Sequence, residues 1–282
     1  MAKSEIYQIY YSDKTRAELD PGFLPLDNLA NDRPDWREYW TFRHTLLDRT
    51  LEPDTYYGIL SPKFRAKTGL DASTVGKLIE QHGEGADVIS FSPYFDEMAF
   101  ALNIIEQAIM HHGNGETFTQ SAMLIAPEFR TDRAVMSSLN TIFCNFFVAK
   151  AAFWHEWLCQ GERLFAIAEE GISPLGQGLN VAVRYGVKSA PAKVFVMERL
   201  ASLLLWSQPR WRVKAFNPAA LLQSANLNPE MLMLDALKIA YVHSGSPRYL
   251  DIFRLLRDQM AARQRNTAPA SATLSPRTCA HS

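Results

Sequence analysis

Residues 87–112, DVISFSPYFDEMAFALNIIEQAIMHH, change their hydrophobic rhythm part-way along. Asp87–Phe91 (DVISF) is a short apolar run with β-branched residues, the pattern of a buried strand. Beyond the turn at Ser92-Pro93, the segment Asp96–His111 carries Phe100, Ile104, Ile105 and Ala108 at helical spacing. A strand feeding a helix is the building unit of an α/β sheet, and the alternation continues on both sides.

Towards the N-terminus, Ile6–Tyr11 (IYQIYY) reads as a first strand, followed by a loop through Pro21, Gly22 and Pro25. Pro34 stands where a first helical turn begins, with Asp32 as its cap, and Trp36, Tyr39, Trp40, Arg43 and Leu47 follow at helical spacing. Thr55–Leu60 predicts a second strand and Ser73–Gln81 a helix. Towards the C-terminus, Asn140–Val148 (NTIFCNFFV) predicts a fourth strand and Ala151–Glu169 a helix. Gly171–Ser189 reads as a loop, with a turn of helix at Asn180–Tyr185. Lys193–Trp206 predicts a helix, Trp211–Phe216 a short strand, and Pro229–His243 and Pro247–Arg263 two closing helices. The expectation is an α/β fold with a parallel sheet. Ligands of such sheets bind beyond the carboxyl ends of the strands, which selects Tyr10–Asp13, Ser61–Lys67, Ser92–Asp96 and Asn145–Lys150.

Composition narrows the function. The chain has 282 residues, 47% hydrophobic, enough for a sizeable core. Lys and Arg total 29 and Asp and Glu 30, a net charge of −1, which argues against nucleic acid as a partner. Three cysteines (Cys144, Cys159, Cys279) without a CxxC pair leave no disulfide framework or Cys-rich zinc site. The opening MAKSEIYQIYYSDK lacks the apolar core of a secretory signal, and no run reaches the ~18 apolar residues of a membrane span. A cytoplasmic protein is expected. From Gln264 to Ser282, Ala, Pro, Ser and Thr dominate, predicting a disordered tail.

Several constellations carry chemistry. Ser61-Pro62-Lys63-Phe64-Arg65-Ala66-Lys67-Thr68-Gly69 sets three cations among hydroxyls at a strand end, either an anion clamp or a solvated loop. Asp96 suits a base, a sugar-hydroxyl ligand or a metal ligand, and equally the N-cap of the following helix. His111 and His112 are adjacent and diverge by ~100° around a helix, which disfavours a shared zinc; a substrate contact from one of them, or a helix-terminal role, fits better. Glu198-Arg199 interrupts the apolar helix VFVMERLASLLL, where a charged pair either faces a site or lies on an exposed stripe. Phe143, Phe146, Phe147, Phe153, Trp154 and Trp157 read as core. GxSxG, GxGxxG and GxxxxGK[ST] motifs are absent.

In combination, these residues resemble a family. Asn31-Asp32-Arg33-Pro34-Asp35-Trp36-Arg37-Glu38-Tyr39-Trp40, then Tyr57-Gly58 and a cationic strand end, is similar to glycosyltransferase-like proteins of bacterial capsule and O-antigen clusters. Asn145-Phe146-Phe147-Val148, Phe153-Trp154-His155-Glu156-Trp157-Leu158, Leu164-Phe165 and Met197-Glu198-Arg199-Leu200 continue the resemblance, which spans roughly residues 5–206. Where relatives carry His-Tyr-Arg-Arg, this chain has Ser61-Pro62-Lys63-Phe64, and it has no Asp-x-Asp at a strand end.

The resemblance implies a GT-A-type fold, a mixed, mostly parallel sheet flanked by helices. The catalytic domain would span 1–217, a C-terminal helical extension 218–263 and the tail 264–282. It implies transfer of a sugar from a nucleotide-sugar donor to a glycan or lipid-linked glycan acceptor, in the cytoplasm or at the inner membrane face. Tyr10, Tyr11, Asp13 and Ser92 would meet the nucleotide-sugar, and Lys63 and Lys67 its diphosphate. Asp96 and Glu198 would orient the sugar or act as base, with His111, His112 and Arg199 on the acceptor side. The missing Asp-x-Asp leaves a divalent cation open. It also leaves open a second class of function, a non-catalytic glycan-binding or scaffold partner in polysaccharide synthesis.

Overall fold

The computed structural model describes residues 3–222 and 228–267. The chain opens with β1 (Ser4–Tyr10), α1 (Asp13–Ala17), β2 (Leu24–Asp27), α2 (Glu38–Leu47), β3 (Tyr56–Leu60), α3 (Phe64–Thr68) and α4 (Ala72–His82). It continues through β4 (Val88–Ser90), α5 (Phe95–Phe100), α6 (Ile104–His112), α7 (Gly115–Ile125), β5 (Phe147–Lys150) and α8 (Ala151–Glu170). The last third holds α9 (Pro174–Asn180), the hairpin β6 (Ala182–Tyr185) and β7 (Lys188–Pro191), α10 (Ala192–Ser207), β8 (Val213–Ala215), α11 (Pro229–Ser244) and α12 (Pro247–Thr267).

Six strands form one sheet in the order β2-β1-β3-β5-β4-β8. β1 is parallel to β2 and β3, and β4 to β8, whereas β5 is antiparallel to both β3 and β4. Five strands therefore share one direction and β5 alone opposes them. The fold is α/β with a mixed, mostly parallel sheet flanked by helices. This topology brings the carboxyl ends of β1, β2 and β3 to the same edge as the amino end of β5.

Side chains alternate across the sheet with the period of two that strands impose. Tyr57 and Ile59 of β3, Val88 of β4 and Phe147 and Ala149 of β5 enter one core; Tyr56, Leu60, Ile89 and Val148 enter the other. Both faces are covered, as a largely parallel sheet requires. The larger core is aromatic: Phe147 stacks on Trp154 at 4.6 Å, and the Trp154 indole N–H donates to the Tyr57 carbonyl at 2.9 Å. Phe143, Phe146, Phe147, Phe153, Trp154 and Trp157 are all buried. Gly58 is required where β1, β3 and β5 meet, since a Cβ there would lie 2.8 Å from Val148 Cγ1 and 3.1 Å from Ile6 Cγ2.

Several expectations are corrected. Residues 140–146 are not strand: Ser202 Oγ accepts the Ile142 N–H, Ser92 Oγ accepts the Phe143 N–H, and Cys144 and Asn145 have positive φ, so no ladder can form. The expected helix Asp96–His111 is two helices, because Ala101 is extended and the Asn103 side chain caps α6 through the Ile105 and Glu106 N–H groups. Asp96 does not cap α5; the N-cap residue is Tyr94, with no side-chain cap bond. α2 begins at Glu38 rather than Pro34, and Asp32 does not cap it, because Arg37 adopts φ 48° at the N-cap. The stretch expected as loop holds α9 and a hairpin turning at Gly186, so Asn180–Tyr185 is mainly strand. β2 forms where only a loop was read. α12 extends to Thr267, into the expected tail; residues 268–282 lie outside the described residues.

α11 and α12 close the molecule against α5, burying Leu102, Val135, Leu234, Leu250, Phe253 and Met260. Among the described residues, no helix is long and apolar enough to cross a membrane.

Candidate active site at the carboxyl edge of the sheet

A cavity of about 490 Å³ opens at the edge that the topology creates. Tyr11 follows β1, Asn28 and Asn31 follow β2, and Ser61 and Lys63 follow β3, with Lys67 one turn into α3. Arg37 and Glu38 come from the start of α2, and Cys144 and Asn145 from the segment entering β5. Tyr185 and Lys188 of the hairpin and Met197 and Glu198 of α10 complete the wall.

The backbone here is strained. Six non-glycine residues among those described have positive φ, and four of them, Asn31, Arg37, Cys144 and Asn145, line this cavity. Such conformations cost on the order of 1 kcal/mol or more each and concentrate where side chains must be aimed at a ligand. Surrounding ion pairs hold the strained loop in place. Asp35 accepts from Arg33 and from Lys193 Nζ at 2.6 Å, and Arg33 also grips Glu169, which accepts the Trp36 indole N–H.

The electrostatics are those of a site for an anion beside a titratable base. Arg37, Lys63, Lys67 and Lys188 share the cavity with two carboxylates, Glu38 and Glu198. Burial and then the neighbouring Glu198 push the Glu38 carboxyl up to about 7, against the pull of Lys67, Arg37 and Lys63. Lys67 donates to Cys144 Sγ at 3.2 Å. Burial opposes the Lys67 charge, but Cys144, Tyr94 and Glu198 outweigh it and raise its pKa. Burial pushes the Cys144 thiol up to about 12, so it is a neutral thiol at pH 7.

Four of the residues singled out from sequence, Tyr11, Lys63, Lys67 and Glu198, meet in this cavity. Three others lie outside its lining. Arg199 is buried, donates to Gln107 Oε1 and the Phe195 carbonyl at 2.8 Å each, and lies 3.5 Å from Glu198. His112 stacks on Phe195 at 3.8 Å, and its Nδ1 lies 2.7 Å from the Arg184 carbonyl and its Nε2 3.3 Å from Arg199. Its Nδ1 is thus the protonated nitrogen; burial and then Arg199 push its pKa down to about 3, keeping it neutral. His111 lies 3.6 Å from Glu97. The remaining four point elsewhere. The Tyr10 hydroxyl donates to Asp27, Asp13 starts α1, Ser92 Oγ is used by the Phe143 N–H, and Asp96 lies in the first turn of α5 outside the cavity.

Arg37, Glu38 and Cys144 were not selected from sequence, whereas Asn145 opens one of the strand-end segments that were. The only local signal for Glu38 is a carboxylate inside the aromatic run Trp36–Trp40, a position that a solvated helix face also produces. Among the described residues, no group of three or more His, Cys, Asp and Glu side chains is placed to hold a metal ion. No protein-family model, curated protein or solved structure matches this chain.

Proposed function

We propose that the chain is a glycosyltransferase of GT-A-type architecture that moves a sugar from a nucleotide-sugar donor to a glycan acceptor in bacterial surface polysaccharide synthesis. The observation that carries this reading is the pairing, in one cavity at the sheet's carboxyl edge, of four cations with a carboxylate whose pKa is about 7. Lys63 and Lys67 receive the diphosphate of the donor, where preformed positive charge stabilises the negative charge that develops on the leaving oxygen. Glu38 takes the proton of the acceptor hydroxyl, a task that favours a base titrating near the working pH. The acceptor oxygen bonds to the sugar's anomeric carbon, the bond from that carbon to the diphosphate oxygen breaks, and the electron pair leaves on the nucleoside diphosphate. Glu198, held by Arg199 from behind, orients the sugar hydroxyls.

The deciding experiment is a screen of nucleotide sugars for binding and for hydrolysis or transfer, with and without chelator. Binding of at least one donor, lost in the Lys63→Ala/Lys67→Ala double variant, supports the proposal. Failure of every donor to bind, with divalent metal present, overturns it.

A further inference from the structure

A chain of polar contacts joins the cavity's Glu198 to residues outside the lining and crosses three helices, α10, α6 and α5. Arg199 on α10 is buried, and its Nη1 lies 3.5 Å from Glu198 Oε2. Neutral acceptors hold the same guanidinium more closely: the Phe195 carbonyl and Gln107 Oε1, both at 2.8 Å, and His112 Nε2 at 3.3 Å. Gln107 on α6 is buried as well, and its Nε2 donates to Glu97 Oε2 of α5 at 2.7 Å. Glu97 in turn lies 3.6 Å from His111 Nε2. The Gln107 amide has one orientation available. A guanidinium has no acceptor, so the amide oxygen must face Arg199, which leaves the amide nitrogen to Glu97. A guanidinium beside a carboxylate ordinarily closes to about 2.8 Å, often through two bonds. The contact with Glu198 is longer because Arg199 gives its donors to Gln107 and His112 and shares its charge. Burial works against that charge, and Glu198 and then Glu97 support it.

We propose that Gln107 and Glu97 are positioning residues for the cavity: they hold Arg199 back from Glu198, so that this carboxylate keeps its lone pairs for a hydroxyl of the ligand. A closed, two-bond ion pair would occupy those lone pairs and offset the field that Glu198 sends into the cavity. Removing the guanidinium altogether would leave the side chain without an anchor. The restrained pair avoids both: Arg199 fixes where Glu198 points without consuming it. This restraint exists in the ligand-free chain; that the accepted hydroxyl belongs to a sugar rests on the transferase reading.

Glu38 reports on the restraint without any ligand. Its carboxyl is faced by Glu198, Lys67, Arg37 and Lys63, with Tyr11 and Cys144 nearby. Of these, Glu198 is the group that Gln107 reaches through Arg199. The test is an NMR titration of the full chain carrying carbon-13 in its glutamate carboxyls, with the Glu38 resonance identified by its loss in Glu38→Gln. Gln107→Met removes both amide bonds at similar length and lets Arg199 close on Glu198. The negative field at Glu38 weakens, and its midpoint should fall by about 0.5 or more. Gln107→Glu keeps the volume, draws Arg199 further from Glu198 and should raise the midpoint; it decides the matter if the methionine variant does not fold. Both shifts should vanish in the Glu198→Gln background, whereas a merely structural role for Gln107 would act equally in either. A midpoint that stays put, moves the opposite way, or moves equally without Glu198 overturns the proposal. Because no donor is needed, an unmoved midpoint beside a bound nucleotide sugar would remove the restraint alone. The expected shifts in a chain that binds no donor would remove only the transferase reading.

Discussion

Glu38 joins activity and stability in one side chain. In an unfolded chain its carboxyl titrates near 4.5, and in the folded protein near 7. Between those values the folded state binds the extra proton, so stability falls as pH rises from about 4.5 to about 7, and the penalty is complete above 7. Glu38→Gln removes it. The variant is expected to lose transfer activity, yet to be more stable than the parent at pH 8 by on the order of 1–3 kcal/mol, with little gain at pH 4.5. Thermal melts at the two pH values check this; equal gains at both would remove the assignment of the buried charge. Cys144 provides a second residue-scale test. Its thiol is held protonated by burial, while Cys159 is exposed. Iodoacetamide at pH 7.5 should label Cys159 well before Cys144, as peptide mass mapping will read. Preferential labelling of Cys144 would show a thiolate at the cavity wall.

Among the elements, α9 couples packing to the site. Gly176 lies so close to α8 that a Cβ would come within 2.4 Å of the Ile167 carbonyl oxygen, a backbone atom that cannot swing aside. Gly176→Ala must displace α9, at a cost of about 1–3 kcal/mol. Asn180 at the end of α9 accepts from Lys193 at 2.9 Å, and Lys193 holds Asp35 in the loop that leads into α2 and Glu38. The variant should therefore lower both the melting temperature and donor affinity; a loss of stability with unchanged affinity would show that the loop is held without α9. At this scale much was legible in the sequence, because α4, α8, α10, α11 and α12 follow apolar periods long enough to read. α1, α3 and β2 have five residues or fewer, too few for a period to register. The break between α5 and α6 escaped for another reason. The hydrophobic spacing runs through it, and the helix is interrupted by side chains that take its backbone groups: Asn103 the N–H groups of Ile105 and Glu106, and Lys238, far along the chain, the carbonyls of Met98 and Ala101.

In the molecule as a whole, the C-terminal helices are fastened by buried polar groups as well as by apolar area. Lys238 is fully buried and donates to the carbonyls of Met98 and Ala101, while Asp235 accepts the Ser138 N–H and hydroxyl at 2.9 and 2.6 Å. Burial pushes the Lys238 ammonium down to about 7, against the pull of Asp235 and Glu106. Above pH 7 the unfolded chain keeps a proton that the folded one releases, so this residue makes stability rise from about pH 7 towards 10. Lys238→Met should flatten that rise. Denaturant titrations of both proteins at pH 7 and pH 9 measure the difference, and an unchanged slope would mean that Lys238 stays charged where it is buried.

The same division separates what each level of description decided. The strand–helix alternation, the aromatic core and the cationic strand end at Lys63–Lys67 are written in local patterns of apolar and charged residues, which need no partner to be read. The candidate site is not local. Glu38 shares a cavity with Glu198, 160 positions away in the chain, and its pKa comes from burial and from charges supplied by α3 and α10. Even the expectation that Asn145 lies at the sheet's ligand-binding edge held for a reason the sequence did not contain. It was read as the end of a strand, yet it precedes β5, and reaches that edge because β5 alone runs against its neighbours. Strand direction, burial and the field from distant charges are set by long-range packing, so only the tertiary structure could decide them.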